Sequence, residues 1–327
     1  MLVMLLVTSA VILLFPDLLG TVSAPFALER ETEQFTGSIV SYKNVGNTEP
    51  PELSANTTTP DPRRSAPLRD DCLTIKMDNS DIFRGSLLLV NHEHQFDIPD
   101  DIELVPVSDL ATGSYRVSGI DIMLNPEIIG PLNDMMDAFY AETGRDNLVI
   151  ISGFRDYIRQ QEILDDYIRL VGSTEASKWA SRPGFSEHHT GLAADFGLLS
   201  SGSVRTFTGT GVNSWFRENS YRFGFILRYT AEKEGITGTT NEPWHFRYVG
   251  EPHASIMFRN NWCLEEYIAL ISEYSFDERY ISQYGENTFE MYYTRGTEVK
   301  IPFDYEFDIS GNNTDGFFVT LCYAPVR

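Results

Sequence analysis

Basic charge is what this sequence has least of. Its 327 residues carry 25 Lys and Arg against 47 Asp and Glu, a formal net charge of -22. A chain this acidic is a poor candidate for gripping DNA, RNA or an anionic bilayer through bulk charge. Cysteine is scarce as well: three residues are too few for a disulfide scaffold. Cys263 and Cys322, which flank the C-terminal segment, can pair only if the compartment is oxidising. Past the N-terminus no apolar run reaches the ~20 residues of a spanning helix, which excludes a multi-span membrane protein. Core-forming side chains are not scarce. With 42% hydrophobic and 22% charged residues, global disorder is ruled out. At ~150 residues per domain, the length suggests about two domains.

Residues 1–15, MLVMLLVTSAVILLF, form an apolar run stopped by Pro16 and Asp17. The run is short for a spanning helix and suits the core of a signal peptide. Val22-Ser23-Ala24 supplies small residues where a signal peptidase prefers them, but no Lys or Arg precedes the run and Pro25 would adjoin the cut. Segment 1–24 is therefore read as a signal peptide or an uncleaved anchor. The expected location is extracellular or cell-wall associated, with membrane contact only through that segment if it is kept. Residues 25–71 are rich in Thr, Ser, Pro, Asn and Glu and read as a disordered linker. A catalytic domain is expected over 72–254 and an accessory segment over 255–327.

Within the ordered part, Ser86–Val90 is a short apolar run and reads as a strand. Asn125-Pro126 should start a helix with Ile128, Ile129, Leu132, Met135, Met136 and Phe139 on one stripe and Gly144 as its stop. Leu148–Ile151 reads as a buried strand. A second helix is expected over Tyr157–Val171, with Ile158, Ile163, Leu164, Tyr167 and Leu170 as its apolar face. A short helix over Trp215–Phe223 and strands at Phe225–Leu227 and Trp244–Val249 follow. Beyond Pro252 a helix is expected over Leu264–Tyr274, then strands near 290–293, 299–302 and 316–321.

Chemistry concentrates in two segments that hold three of the six histidines. The first is Ser186-Glu187-His188-His189-Thr190-Gly191-Leu192-Ala193-Ala194-Asp195. On a turn leading into a strand, His188 and Asp195 can point at one centre, and the small residues between them permit close backbone approach. The second is Glu242-Pro243-Trp244-His245, which offers a third ligand with a carboxylate three residues before it. Two His and one Asp leave a fourth position for water, the mark of a catalytic rather than a structural zinc site. A carboxylate outside the ligand set can take a proton from that water and later deliver it to a leaving amine. Either segment alone is weak: a His-rich turn is more often a polar surface cluster, and a Trp-His pair on a strand is more often packing.

Together, SEHHTGLAAD and EPWH resemble the signature of VanY-like zinc D-alanyl-D-alanine carboxypeptidases, a family related to D-Ala-D-Ala dipeptidases and phage cell-wall endopeptidases. Ser152-Gly153-Phe154-Arg155-Asp156-Tyr157, followed by Gln160, is similar to a third element of that family, with Phe154 and Asp156 departing from its commonest residues. The resemblance spans roughly residues 82–252. It implies that His188, Asp195 and His245 bind Zn2+, and that Glu242 is general base and then general acid. Arg155 would stabilise an oxyanion or hold substrate, and Ser186 and Gln160 would hydrogen-bond the substrate. The implied substrate is a peptidoglycan stem peptide or its precursor. The implied fold is α+β, with helices packed on a mainly antiparallel sheet that carries the zinc site. His189 is read as lying behind the ligands or facing solvent. His92, His94 and His253 match nothing in the motif and read as surface residues. Competing readings are a D,D-dipeptidase or endopeptidase with the same site, and a non-catalytic zinc module that binds wall peptides.

Overall fold

A strand at Cys72–Lys76 (β1) opens the computed structural model, which describes residues 72–285, 287–303 and 305–323. The segment 1–24 and the linker 25–71 lie outside the described residues. Short strands at Val105–Pro106 (β2), Arg116–Val117 (β3) and Met123–Leu124 (β4) lead into a helix at Pro126–Thr143 (α1). Its ends follow from the sequence. The Asn125 side chain accepts the Glu127 backbone N–H, Pro126 occupies the first turn, and Gly144 exits with φ 65°. All six residues of the expected stripe are buried.

The chain then alternates between sheet and cover. Leu148–Ser152 (β5) precedes a helix at Tyr157–Val171 (α2). Ala193–Ser200 (β6) turns into Ser203–Thr206 (β7), and a short helix at Ser214–Asn219 (α3) leads to Phe225–Tyr229 (β8) and Glu242–Tyr248 (β9). The resulting sheet has the order β3-β5-β6-β9-β8, with β7 added beside β6. The β3–β5 pairing is parallel and the others are antiparallel. The stripe of α1 packs against Leu148, Ile150, Ala194, Phe196 and Phe246 of this sheet in one core. The fold is α+β, with helices on a mainly antiparallel sheet.

Two helices follow, His253–Asn260 (α4) and Leu264–Ile271 (α5). After them come Tyr280–Tyr284 (β10), Asn287–Arg295 (β11), Glu298–Pro302 (β12), Glu306–Gly311 (β13) and Gly316–Tyr323 (β14). A second antiparallel sheet has the order β10-β11-β14-β13, and β12 pairs with β1 from the far end of the described chain. A second core joins Leu87, Leu89 and Ile226 to Ile256, Met257, Leu264, Phe289 and Phe318, so apolar packing crosses the sequence boundary near residue 254. Cys72, Cys263 and Cys322 are each unpaired.

Two expectations are corrected. Ser86–Val90 is not a strand, although all five residues are buried. Its side chains alternate between the two cores, Leu88 and Val90 into the first and Leu87 and Leu89 into the second. Side chains take the place of a ladder. Arg247 Nη2 donates to the Ser86 and Leu88 carbonyls at 2.9 Å each, Asn313 donates to the Leu89 carbonyl, and the Leu87 N–H donates to Ser310 Oγ. The second correction concerns α2. Its bounds are those expected, but its apolar face is only partly covered: Ile158 is 72% and Leu170 43% exposed, Ile163, Leu164 and Tyr167 are half-buried, and the one residue it fully buries is Gln160. Polar contacts hold it instead. Asp156 caps the Arg159 N–H, and the Tyr157 hydroxyl bridges the Phe96 carbonyl and the Ile98 N–H.

Candidate active site

Strand register builds the centre of the site. In the β6–β9 pairing, Asp195 lies directly opposite His245, so cross-strand geometry brings together two side chains far apart in sequence. His188 comes from a single turn of 3-10 helix at Glu187–Thr190, just before β6. Gly191 ends that turn with φ 72°, where an added Cβ would meet Leu104 at 2.9 Å and the Asn125 backbone nitrogen at 3.0 Å. A side chain there would push the turn away from Leu104 and Asn125, and His188 with it.

Glu242 reaches the same centre through an irregularity. Residues three apart on a regular strand face opposite ways. Between β8 and β9 the register shifts, so that Leu227 pairs with Phe246 but Tyr229 with Glu242. Pro243 sits in the bulged stretch and has no N–H to give to a ladder. The Glu242 carboxylate ends 4.0 Å from His245 Nδ1.

One donor atom each from His188, Asp195 and His245 lies within 4.8 Å of the other two, and all three residues are buried. His188 Nδ1 is 2.6 Å from the Gly153 carbonyl, which makes it the N–H and leaves Nε2 as the donor, 3.2 Å from Asp195 Oδ2. His245 Nε2 is 3.2 Å from Glu187 Oε2, which leaves Nδ1 facing Asp195 Oδ1 at 2.9 Å. Two neutral imidazole nitrogens and a carboxylate oxygen, each imidazole fixed by a hydrogen bond on its other nitrogen, are a donor set that fits zinc.

The electrostatics follow from burial and neighbours. Burial pushes the His188 imidazole down to about 4, and the Arg155 charge adds to this. Burial would also depress His245, but its hydrogen bonds to Asp195 and Glu187 override it and raise the ring to about 9 in the absence of a metal. Asp195 would be raised by burial, yet its pairing with His188 and the Arg155 charge hold it well below the usual carboxylate range. For Glu242 burial wins, and the carboxyl rises to about 8. A carboxyl poised near neutrality suits proton transfer in both directions.

Arg155 lies across the site. Its Nη2 is 2.6 Å from Asp195 Oδ2, Nε donates to Ser152 Oγ at 2.9 Å, and Nη1 reaches Gln160 Oε1 at 3.4 Å. The Gln160 amide donates to the Ser181 carbonyl at 2.7 Å. Ser186 is buried at the start of the His188 turn, and its hydroxyl makes no capping hydrogen bond there. His189 is fully buried behind the ligands. Its Nδ1 is 2.6 Å from the Arg155 carbonyl, and its Nε2 accepts the Gly184 N–H. His92 is exposed and His94 bonds Asn91 locally. His253 is not a surface residue: it is buried between Tyr267 and Thr320 and hydrogen-bonds both.

Sequence reasoning missed several residues around the centre. Glu187 is fully buried, and the Arg228 and Arg247 guanidiniums keep its carboxyl low against the cost of burial. The signal was present as an arginine inside each of two mostly buried strands, FILRY and EPWHFRY. Tyr167, expected on an apolar face, has its phenol raised to about 12 by burial and next by the Glu242 charge, which puts it within electrostatic reach of the site.

A family profile described as VanY, D-alanyl-D-alanine carboxypeptidase, matches residues 121–251. The chain is 32% identical over 247 residues to a D-alanyl-D-alanine carboxypeptidase of Enterococcus faecium, covering 73% of this chain and 76% of that protein. It is 36% identical over 208 residues to a D-alanyl-D-alanine carboxypeptidase of Enterococcus faecalis, covering 61% and 71%. Among solved structures, the vancomycin-resistance D,D-dipeptidase VanXYg, in complex with a D-Ala-D-Ala phosphinate analogue, is similar with a TM-score of 0.68 and 34% identity. That match covers 77% of this chain and 99% of that one.

Proposed function

Because the chain belongs to the VanY family of D-alanyl-D-alanine carboxypeptidases, we propose that it removes the terminal D-Ala from peptidoglycan stem peptides or their precursors. The enzyme is a zinc metallopeptidase, and the observation that carries the reading is the buried His188–Asp195–His245 cluster with the Glu242 carboxyl beside it. A bound zinc supplies Lewis acidity and acidifies a water to a pKa of ~7.

The chain's own residues do the rest. Glu242 takes the proton of the attacking water and returns it to the departing D-Ala amine. Arg155, always charged and fork-shaped, holds the developing oxyanion or the substrate, and its bonds to Ser152 and Gln160 fix where it points. The buried Ser186 hydroxyl and the Gln160 amide are the substrate's hydrogen-bonding partners. No acyl-enzyme forms on this route, so a β-lactam does not acylate the protein.

Location is part of the same proposal. The apolar segment within 1–24 and the polar linker 25–71 support an exported enzyme acting outside the cell or in its wall, where stem peptides are found. Fractionation of cells followed by detection of the mature protein tests this, and recovery in the cytoplasm alone would sink it.

The test of activity is D-alanine release from a UDP-muramyl-pentapeptide, with free D-Ala-D-Ala as a parallel substrate, each with and without a zinc chelator. Chelator-sensitive release from the pentapeptide is expected. Cleavage of the free dipeptide alone would move the enzyme to the D,D-dipeptidases, an arm included because the solved dipeptidase is so similar along the chain.

A further inference from the structure

Behind His245 lies a second group of charges that takes no part in the chemistry above. Glu187 Oε2 faces His245 Nε2 at 3.2 Å, while Glu187 Oε1 accepts from Arg228 Nε at 2.8 Å and from Arg247 Nη1 at 2.9 Å. The other two nitrogens of Arg228 donate to Glu265, Nη1 to Oε2 at 2.9 Å and Nη2 to Oε1 at 2.6 Å. Glu265 stands in the first turn of α5 and also accepts from Asn91 at 3.1 Å. The side chains of Glu187, Arg228 and Arg247 are fully buried, and that of Glu265 is 13% exposed.

The contacts run in one line, from α5 through one guanidinium and one carboxylate to a metal-donor imidazole. We propose that Glu187 and Glu265 are positioning residues for the zinc site, joined through Arg228, so that the segment after residue 254 sets the hold of the enzyme on its metal. The argument is one of valence. Glu187 Oε1 accepts from Arg228 and Arg247, so the carboxylate meets His245 as an acceptor and the Nε2 beside it must carry the hydrogen. That fixes the tautomer with the Nδ1 lone pair toward Asp195 and makes the ring a better donor. Glu265 occupies the open side of the Arg228 fork. Without it the guanidinium has unmet donors and the cluster carries an excess positive charge next to Glu187, which weakens the pull of Glu187 on the imidazole hydrogen.

This inference rests on the zinc-site reading but needs no substrate, so zinc affinity tests it by competition with a chromogenic chelator. Replacing an outer partner of a metal-bound histidine typically weakens metal binding about 10–100-fold, and Glu187→Gln should fall in that range. Glu265→Gln should weaken zinc binding several-fold. The double variant should lose less than the product of the two, because Glu265 reaches the imidazole only through Arg228 and Glu187. A folded Glu265→Gln protein whose zinc affinity stays within about twofold of the parent, or two effects that simply multiply, would overturn the proposal.

If Glu265→Gln does not fold, hydrogen exchange on the unaltered protein takes its place. Coupling is reciprocal, so zinc should slow exchange of the α5 amides, and identical α5 exchange with and without zinc would overturn the proposal. An unaltered protein that binds zinc yet releases no D-Ala would sink the substrate assignment and leave this inference standing.

Discussion

Two buried charge clusters share the His245 ring, and they differ in balance. On the Nε2 side, Glu187 and Glu265 are matched one for one by Arg228 and Arg247, with short hydrogen bonds among them. On the Nδ1 side, Asp195 and Glu242 face a single guanidinium, that of Arg155, which pairs with Asp195. Burial outweighs the His245 and Arg155 charges there, and Glu242 holds its proton up to about pH 8. Fixed ion pairs that satisfy one another make a rigid backing, whereas convergent donors that can shed their protons make a place for a metal. The residue types on the two sides are nearly the same, so what separates scaffold from site is stoichiometry and geometry.

The contrast breaks most sharply on the deficient side. Glu242→Ala should leave zinc binding intact and lower the rate of D-Ala release by about 10²–10⁴-fold, the usual span of general acid–base catalysis. Metal content and initial rates on one preparation check this, and near-parental rates would remove Glu242 from its role. On the balanced side the damage should appear as stability. Glu187→Ala leaves the buried Arg247 without a carboxylate and Arg228 with Glu265 alone, and breaking a buried pair by deleting one partner costs about 3–5 kcal/mol. Denaturant unfolding of the metal-free protein reads that loss.

pH separates the clusters more gently. The His245 pKa is raised above its ordinary value, so its contribution to metal-free stability is complete below about 6.5 and is lost as pH rises through about 9. Zinc must displace that same proton, so its affinity should climb across the same window. Melting curves from pH 6 to 9 should therefore show the zinc-loaded and zinc-free midpoints drawing apart. A gap that is constant with pH would mean that His245 is already neutral. The smallest effect is expected away from both clusters. Ile158→Ala on the exposed face of α2 should change stability by no more than about 0.5 kcal/mol.

The His188–Asp195–His245 cluster and the neighbouring carboxyl were legible because each sits in a short, locally structured segment: the 3-10 turn and strand carrying His188 and Asp195, and the bulged strand carrying Glu242 and His245. The α1 stripe was legible because an 18-residue helix with a cap at each end repeats one pattern many times. The backing cluster was not. Arg228 meets Glu187 across 41 positions and Glu265 across 37, and a single arginine in an apolar strand does not announce its partner. The α2 face misled because amphipathic spacing states which side is apolar without stating that anything covers it. Ser86–Val90 misled for the opposite reason: its alternation is real, but the two faces it separates are two cores and not core and solvent.

That stretch also limits how the gene can be rearranged. Leu87 and Leu89 form part of the wall against which the C-terminal helices and sheet close, and β1 supplies the partner of β12. A recombination event that exchanged only the residues after 254 would deliver a segment lacking both its wall and its pairing strand. The C-terminal part thus closes on pieces of the chain far from it in sequence, residues 72–90 among them.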